Sequence, residues 1–250
     1  MAAPVLRPLS TGEVLDVSFG LYRALFIPLL TVALASRAIP AIMGIYLQAI
    51  GGFAAHWQLG TVQFFIGIFL SAIGAAATTY IVSGAYLGTE VTANDALRQA
   101  LGLLGRLLLL SLMTSLVIGF GFMLVIVPGL ILLSGLALST AVLVLESPIS
   151  PNDAMSRSWQ LTKGSRWKVL LTFFVAVLFL MVPMMAVGAL GAVGSVVGLW
   201  SELIPLVLIS VLEIFVYPFV YIVITVLYYD MRVRKEGFDL ELLASATQRA

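Results

Sequence analysis

Two charged residues lie inside stretches of sequence that are otherwise almost entirely apolar. Arg37 lies three residues before Pro40 in the first such stretch, and Glu213 lies in the last one. A charge within hydrocarbon is costly, so it usually has a partner or lines a water-filled cavity. Counted from Arg23 and Asp230 at about 1.5 Å per residue, the two lie at similar depths of roughly 21 Å and roughly 25 Å. We therefore predict that Arg37 and Glu213 pair.

The role of this pair has three interpretations. It is a structural ion pair that fixes helix packing, a site for a substrate or a proton, or two unpaired side chains that reach outward to water. If Arg37→Leu and Glu213→Leu each lower detergent stability and their effects simply add, the pairing hypothesis fails.

Basic residues are concentrated in a second region, the polar stretch Glu146–Lys168, which long apolar runs flank on both sides. Basic side chains at a membrane surface attract anionic lipid headgroups. Ordinary positive-inside topology accounts for the same residues, so both interpretations remain. The candidate headgroup ligands are Arg157, Lys163, Arg166 and Lys168 in this stretch, and Arg232, Arg234 and Lys235 near the end of the chain.

The composition predicts a membrane protein and excludes several kinds of chemistry. Of 250 residues, 61% are hydrophobic and 10% are charged, and the mean hydropathy is +1.12, whereas soluble domains are nearer half apolar and a quarter charged. There is no cysteine and one histidine, His56, which excludes disulfides, thiolate chemistry and multi-histidine metal sites. The net charge of +1 gives no basic field for nucleic acid. We therefore predict no metal, cofactor, catalytic residue or nucleic-acid partner.

Long apolar runs predict an all-α bundle of six transmembrane helices in one membrane domain, residues 1–250. The predicted spans are roughly 25–49, 61–87, 107–127, 130–146, 168–190 and 203–229, with lengths suited to a hydrocarbon core of about 30 Å. Pro128-Gly129 predicts a tight turn between the third and fourth spans, and the GxxxG spacing of Gly84 and Gly88 favours close helix contact. The first twenty residues lack an apolar core with a cleavage site, so no cleaved signal peptide is expected.

Three polar motifs predict the starts of short helices that lie on the membrane surface. In each motif a hydroxyl accepts a bond from the amide three residues on, and the acidic side chain there reaches back to the cap amide. In the third helix, Met155, Trp159 and Thr162 are expected to face the membrane. A further amphipathic helix is predicted near 239–246. The cap pairs are Ser10/Glu13, Thr92/Asp95 and Ser150/Asp153.

Each capped helix precedes two predicted spans, which indicates a threefold repeat of surface helix, span and span. With the odd spans running outward, every Lys and Arg except Arg37 lies in an inner segment, and the outer loops have none. By the positive-inside rule, both termini are cytoplasmic and the protein is a multi-pass protein of the cell membrane.

Three segments of the chain are familiar as a set. They run from Leu6 to Asp16, from Asn152 to Gly164 and from Tyr228 to Asp239. Together they resemble the membrane domain fused to some bacterial glycerophosphodiester phosphodiesterases, and related stand-alone bacterial membrane proteins of unknown function. The resemblance covers nearly the whole chain. The chain departs from the fused enzymes, because it has no room for their catalytic α/β barrel and no cluster of acidic residues and histidine for their metal. We therefore expect no phosphodiesterase activity.

The sequence favours a non-enzymatic integral membrane protein that interacts with lipids or acts as a scaffold at the inner leaflet, where much of its polar surface is expected to lie. The expected partners are membrane lipids, anionic ones among them, and a membrane-protein partner is a further candidate. The alternative is a small-solute or ion transporter, or a channel component, that uses the Arg37/Glu213 region. An enzyme acting on lipids would need an acid–base or nucleophile group at headgroup depth, and the sequence offers none.

Overall fold

The computed structural model describes residues 7–196, 198 and 203–238, and these residues form helices joined by short loops. The helix predicted near 239–246 lies outside the described residues. The helices within them are α1 (Thr11–Ala24), α2 (Phe26–Ala49), α3 (Gly52–Ala55), α4 (Trp57–Tyr86), α5 (Ala93–Gly102), α6 (Leu104–Leu124), α7 (Ile126–Leu136), α8 (Ser139–Leu145), α9 (Pro151–Thr162), α10 (Arg166–Val196) and α11 (Leu203–Glu236).

Six helical segments in the described chain are long and apolar enough to cross a membrane. They are α2, α4, α6, the pair α7–α8, α10 and α11, and no strand occurs among the described residues. The predicted all-α membrane bundle is therefore confirmed. The last helix continues to Glu236, past the predicted end of the sixth span at 229. Ion pairs one turn apart, Asp230–Arg234 and Arg232–Glu236, stabilise this polar extension.

The hydroxyl caps are present at the starts of all three predicted surface helices. Ser10, Thr92 and Ser150 each accept a hydrogen bond from the amide three residues on, as predicted. The full reciprocal box forms at the start of α1, because the Ser10 N–H also donates to the Glu13 carboxylate at 2.7 Å. The hydroxyl half of the motif is therefore common to the three helices.

The acidic half of the motif differs in the second and third caps. The sequence predicts that Asp95 and Asp153 reach back to the cap amides, and this prediction is wrong. The Asp95 carboxylate instead accepts from the Thr92 hydroxyl at 2.6 Å, and the Asp153 carboxylate accepts from the Ser150 hydroxyl at 2.6 Å. Aspartate is one methylene shorter than glutamate, so it bonds the nearer hydroxyl rather than the cap amide.

The order of elements follows the predicted repeat. Helices α1, α5 and α9 each precede two spanning segments. Since successive spans run in opposite directions, the three capped helices gather at one end of the bundle. We call this the capped end and the opposite one the far end. The predicted topology places the capped end in the cytoplasm.

Helices α4 and α11 form the centre of the bundle, and they are buried mainly in the halves that lead to the capped end. Almost every residue of α4 between Ala72 and Tyr86 is buried, as is α11 between Tyr217 and Met231. Small side chains make this zone tight. A Cβ on Gly74 would lie 2.6 Å from the Ser36 hydroxyl of α2, so glycine is needed for α2 to approach α4.

The predicted turn at Pro128-Gly129 is wrong by a few residues. The chain breaks at Val125, which is extended, and Pro128 lies in the first turn of α7. Proline fits there because the first amides of a helix have no partner within the helix. Gly129 serves packing instead, since a Cβ on Gly121 of α6 would lie 3.1 Å from its Cα.

Two further sequence expectations are corrected by the packing. Gly84 does not contact another helix through a GxxxG face. Its missing Cβ leaves room for Val91 in the following loop, and Gly88 ends the turn with a φ of +78°.

In α9, Thr162 is buried and Trp159 lies against Gly135 of α7, so this side faces the bundle rather than the membrane.

The start of α1 is predicted to open in acid. The hydrogen bond from Arg7, followed by those from Ser10, lowers the pKa of Glu13 to about 2. An unfolded glutamate titrates near about 4.3, so this contribution is full above about pH 4.3 and is lost as the pH falls through about 2. We expect hydrogen exchange at the Ser10 and Glu13 amides to accelerate across this window beyond its intrinsic pH dependence. Glu13→Ala removes the acceptor and should exchange fast already at about pH 7, and identical profiles for the two proteins would contradict the prediction.

Candidate functional site

A buried carboxylate at the capped end joins three parts of the chain. Asp230 of α11 is 1% exposed, and its Oδ1 accepts the N–H of Leu9 at 2.7 Å. The carboxylate also pairs with Lys168 of α10 and, at 3.1 Å, with Arg234 one turn further along α11. A charge is tolerated in the interior only when it is paired and hydrogen-bonded. Asp230 meets that condition, and by doing so it holds the N-terminal segment against α10 and α11.

Both backbone polar groups of Leu9, its N–H and its carbonyl, are hydrogen-bonded. Its N–H donates to Asp230, and its carbonyl accepts from Lys168 and from Arg234. Each cation therefore bridges the buried carboxylate and the Leu9 carbonyl. The buried backbone of Leu9 therefore has no unpaired polar group.

A second set of charges lies next to the first. Glu146, at the end of α8, accepts from Arg157 and from the Tyr228 hydroxyl, both at 3.0 Å. Arg157 also pairs with Glu236 at 2.5 Å, and Glu236 pairs with Arg232 at 3.0 Å. Burial lowers the pKa of Arg157, but the hydrogen bonds and charges of Glu146 and Glu236 outweigh it and raise the pKa. The guanidinium therefore stays charged.

The two sets together are called the polar network below. Its members come from the three segments that carry the family resemblance, together with Glu146 and Lys168. They are Leu9, Glu146, Arg157, Lys168, Tyr228, Asp230, Arg232, Arg234 and Glu236.

The network accounts for four of the seven basic residues predicted to bind headgroups. The other three form no ion pair with a described residue. Lys163 and Lys235 are exposed, and the guanidinium of Arg166 stacks on the Trp159 ring at 3.7 Å. Trp167, 82% exposed, lies beside them. The internally paired residues are Arg157, Lys168, Arg232 and Arg234, and the unpaired ones, here called the free cations, are Lys163, Arg166 and Lys235.

Sequence reasoning missed Asp230, the buried carboxylate that Leu9, Lys168 and Arg234 surround. Its signal was present as the one-turn spacing to Arg234 directly after a span, which favours a helical ion pair. The role of Leu9 carried no signal, because a backbone group can take part in such a site whatever its side chain is.

The structure brings Arg37 and Glu213 together within the spanning part of the bundle. Arg37 Nη1 lies 3.2 Å from Glu213 Oε1, and the two side chains are 20% and 42% exposed. Arg37 lies near the middle of α2, about 17 Å from one end and about 18 Å from the other at about 1.5 Å per residue. Helices α2 and α11 pack side by side, so two residues at similar depths along them can meet, as the sequence predicts.

The position of the Arg37 guanidinium is set by an aromatic ring. Its Cζ lies 3.6 Å from the centroid of the Tyr217 ring, and the Tyr217 hydroxyl donates to the Ser71 carbonyl at 2.8 Å. Arg37 donates no hydrogen bond to any described residue, and its buried Nε has no partner. The guanidinium therefore stacks on the ring while its buried Nε–H has no acceptor.

These two charges line a cavity of about 1120 Å³ in the spanning part of the bundle. Its walls come mainly from α2, α4, α6 and α11, and on α2, α4 and α11 they lie largely beyond the tight zone, towards the far end. Among the described residues that line it, Arg37 and Glu213 are the charged ones. The uncharged polar groups of the wall include Gln63, Ser71, Ser111, Ser115, Thr140, Ser210 and Tyr221.

The edge of the cavity carries exposed apolar side chains, which indicate an opening to the side of the bundle. Phe64 and Phe65 of α4 and Leu112 of α6 line it, and each is more than half exposed. In the described chain, α6 and α11 make no extensive contact with each other. Since these residues belong to spanning helices, the side opening faces hydrocarbon. A guanidinium and a carboxylate beside a mostly apolar space can hold a polar head whose tail lies along the wall.

The remaining residues that the sequence singled out lie outside the polar network and the cavity. The carboxylates of Asp95 and Asp153 are exposed and bonded to their own cap hydroxyls, so they act locally at the helix starts. His56 contacts the Ile50 carbonyl at 3.0 Å in the loop between α3 and α4. The part of the chain that the structure describes holds no group of three or more His, Cys, Asp or Glu that could bind a metal ion.

Removing the charge of Asp230 should destabilise the protein strongly. Asp230→Asn keeps the shape but leaves Lys168 and Arg234 without a counter-charge, and we expect a loss of about 3 kcal/mol in the free energy of unfolding in detergent. Glu90→Gln is the matched control, because Glu90 is exposed and should change stability by less than about 0.5 kcal/mol. A loss at Asp230 as small as that of the control would contradict the structural role.

The ion pair in the spanning region should appear as an energetic coupling. Arg37→Leu leaves Glu213 unpaired and Glu213→Leu leaves Arg37 unpaired, so the double variant should be less destabilised than the sum of the single variants by about 1 kcal/mol. Chemical unfolding of the four proteins in one detergent measures the coupling. Arg37→Leu combined with the distant Glu90→Gln is the control and should give additive effects.

Comparison with known proteins leaves the interpretation to this geometry. No protein-family model matches the chain, and neither a curated protein nor a solved structure matches it. The resemblance to the membrane domain of the phosphodiesterases stays a prediction from three sequence segments.

Proposed function

We propose that this integral membrane protein binds a lipid-like amphiphile in the cavity between its helices, as a non-enzymatic lipid-interacting protein. The observation that carries the proposal is Arg37, whose guanidinium stacks on Tyr217, lines a mostly apolar cavity and donates no hydrogen bond to a described residue. A guanidinium in largely apolar surroundings is stabilised when an acceptor reaches its accessible donors. An amphiphile would place its polar head at Arg37, where it accepts hydrogen bonds, and its apolar tail along the apolar wall of the cavity.

The position of the opening supports an amphiphile rather than a water-soluble ligand. Ligand sites are mostly apolar with a few placed polar groups, and this cavity of about 1120 Å³ is slightly larger than their usual range of about 300–1,000 Å³. Its exposed rim residues Phe64, Phe65 and Leu112 are apolar and belong to spanning helices. A molecule dissolved in the bilayer can enter there without crossing water.

A second contact with lipid is proposed at the inner leaflet. The free cations Lys163, Arg166 and Lys235 have no counter-charge among the described residues, and the exposed Trp167 is suited to the membrane interface. This proposal keeps both termini cytoplasmic and narrows the headgroup ligands to three residues. We also retain, as a proposal, that the chain belongs with the membrane domains fused to bacterial glycerophosphodiester phosphodiesterases and the related stand-alone proteins.

Filling the cavity should remove a bound lipid. A Cβ on Gly67 meets no atom within 4 Å, and Gly67 lines the cavity, so Gly67→Phe can place a ring in the space without disturbing the packing. Native mass spectrometry of the purified protein should show about one fewer retained lipid per chain in Gly67→Phe than in the wild type. Gly119→Phe is the matched control, because Gly119 is exposed on α6 and also has free space around it. Equal retention in all three proteins would refute the proposal.

Transport of a small solute or ion is the second candidate function. It is favoured by one observation, the charged pair near the middle of α2, which is the depth at which transporters bind their substrates. Flux of radiolabelled ions and amino acids into liposomes tests it. Flux that Gly67→Phe blocks and Gly119→Phe preserves would replace lipid binding as the function, and release of headgroup from labelled lipid would instead indicate an enzyme.

A further inference from the structure

We infer that the cavity selects amphiphiles with a zwitterionic head, in which an oxyanion meets Arg37 and an ammonium group meets Glu213. This inference rests on the proposed function and names the ligand class of the same site. The free cations of the inner leaflet favour anionic lipids, so the two lipid sites of the protein would differ in selectivity.

The first step of the argument is that both charges retain bonding capacity. The contact between Arg37 and Glu213 is a single approach of 3.2 Å. Nε of Arg37 is buried, so the donors that a ligand can meet are those of the two Nη groups, which donate no hydrogen bond to a described residue. Glu213 lines the cavity, is 42% exposed and, among the described residues, receives no hydrogen bond. The site therefore offers donors and acceptors a few ångströms apart.

The second step is that stacking on an anchored aromatic ring favours one position of the guanidinium, at the cavity wall. Its face lies on the Tyr217 ring, and the Tyr217 hydroxyl is tied to the Ser71 backbone. Arginine recognises oxyanions through the edge of its planar fork, which this stacking leaves available. A phosphate or carboxylate is therefore the acceptor that fits Arg37.

The third step is the charge balance. The described lining holds one cation and one anion, so the site is neutral before a ligand enters. A net anionic head would bring an unbalanced charge next to Glu213 within the hydrocarbon region, where unpaired charge is costly. A head with an oxyanion and an ammonium keeps the site neutral and gives each protein charge a partner.

The experiment measures lipid selectivity of the cavity alone. Detergent-solubilised protein is equilibrated with equal amounts of phosphatidylethanolamine and phosphatidylglycerol with matched acyl chains, and bound lipid is quantified by native mass spectrometry. Subtracting the lipid retained by Gly67→Phe removes binding at the free cations and on the outer surface. The remaining lipid is the cavity-bound fraction.

The wild-type cavity fraction should favour phosphatidylethanolamine by about tenfold, the effect of one charge-assisted contact. Glu213→Gln removes the anion and should shift the preference towards phosphatidylglycerol by at least about tenfold. Ser210→Lys is a second variant, because Ser210 lines the cavity one turn from Glu213, and an added cation there should shift the preference in the same direction with Glu213 still present. Arg37→Gln should reduce binding of both lipids.

The outcomes separate the two proposals. If Gly67→Phe removes no lipid, the cavity binds no amphiphile and the proposed function fails. If it removes lipid but the preference is the same in wild type, Glu213→Gln and Ser210→Lys, amphiphile binding stands and the inference of a zwitterionic head is overturned. A wild-type preference for phosphatidylglycerol in the cavity fraction would also overturn it.

Discussion

The capped end of the protein depends on the neutralisation of one buried carboxylate. Asp230 lies at the end of a long apolar helix, where water cannot solvate it, and it is stable only because Lys168, Arg234 and the Leu9 amide surround it. These partners come from the N-terminal segment, α10 and α11. Because Asp230 needs partners from distant parts of the chain, it determines how these parts assemble. Apolar packing alone would not fix their arrangement, since it has little directional preference.

The neighbouring charges extend this constraint across the capped end. Glu146 joins α8 to α9 through Arg157 and to α11 through Tyr228. With the last part of α4 packed against α11, this half of the bundle is closed by both charge pairing and small-residue contacts. In the other half the ion pairing among the described residues is limited to Arg37 and Glu213, and α6 makes no extensive contact with α11. A tight capped end next to a looser spanning region allows a cavity to exist without loss of the fold.

The sequence was sufficient for the architecture because hydrophobic length and hydroxyl caps are local properties, and all three caps start helices where predicted. Finer geometry was not predictable in the same way. The bonds of Asp95 and Asp153 depend on one methylene of reach, and Pro128 is compatible with either a turn or a first helical turn. The basic residues show the main limit of sequence reasoning. Positive-inside counting treats Arg157 and Lys163 alike, but only the fold shows that Arg157 is paired with two carboxylates.

The two charge clusters of this protein differ in a way that bears on their roles. Asp230 is fully buried and hydrogen-bonded, with cations and an amide around it, which is the arrangement expected of a structural charge. Arg37 and Glu213 meet through one contact of 3.2 Å, the guanidinium has a buried donor without a partner, and the carboxylate is partly exposed to the cavity. If an ion pair serves packing alone, substituting both residues with apolar ones often leaves the stability of the protein unchanged or raises it. The Asp230 cluster therefore has the partners expected of a structural charge, whereas the Arg37–Glu213 pair keeps bonding groups for the ligand that we propose.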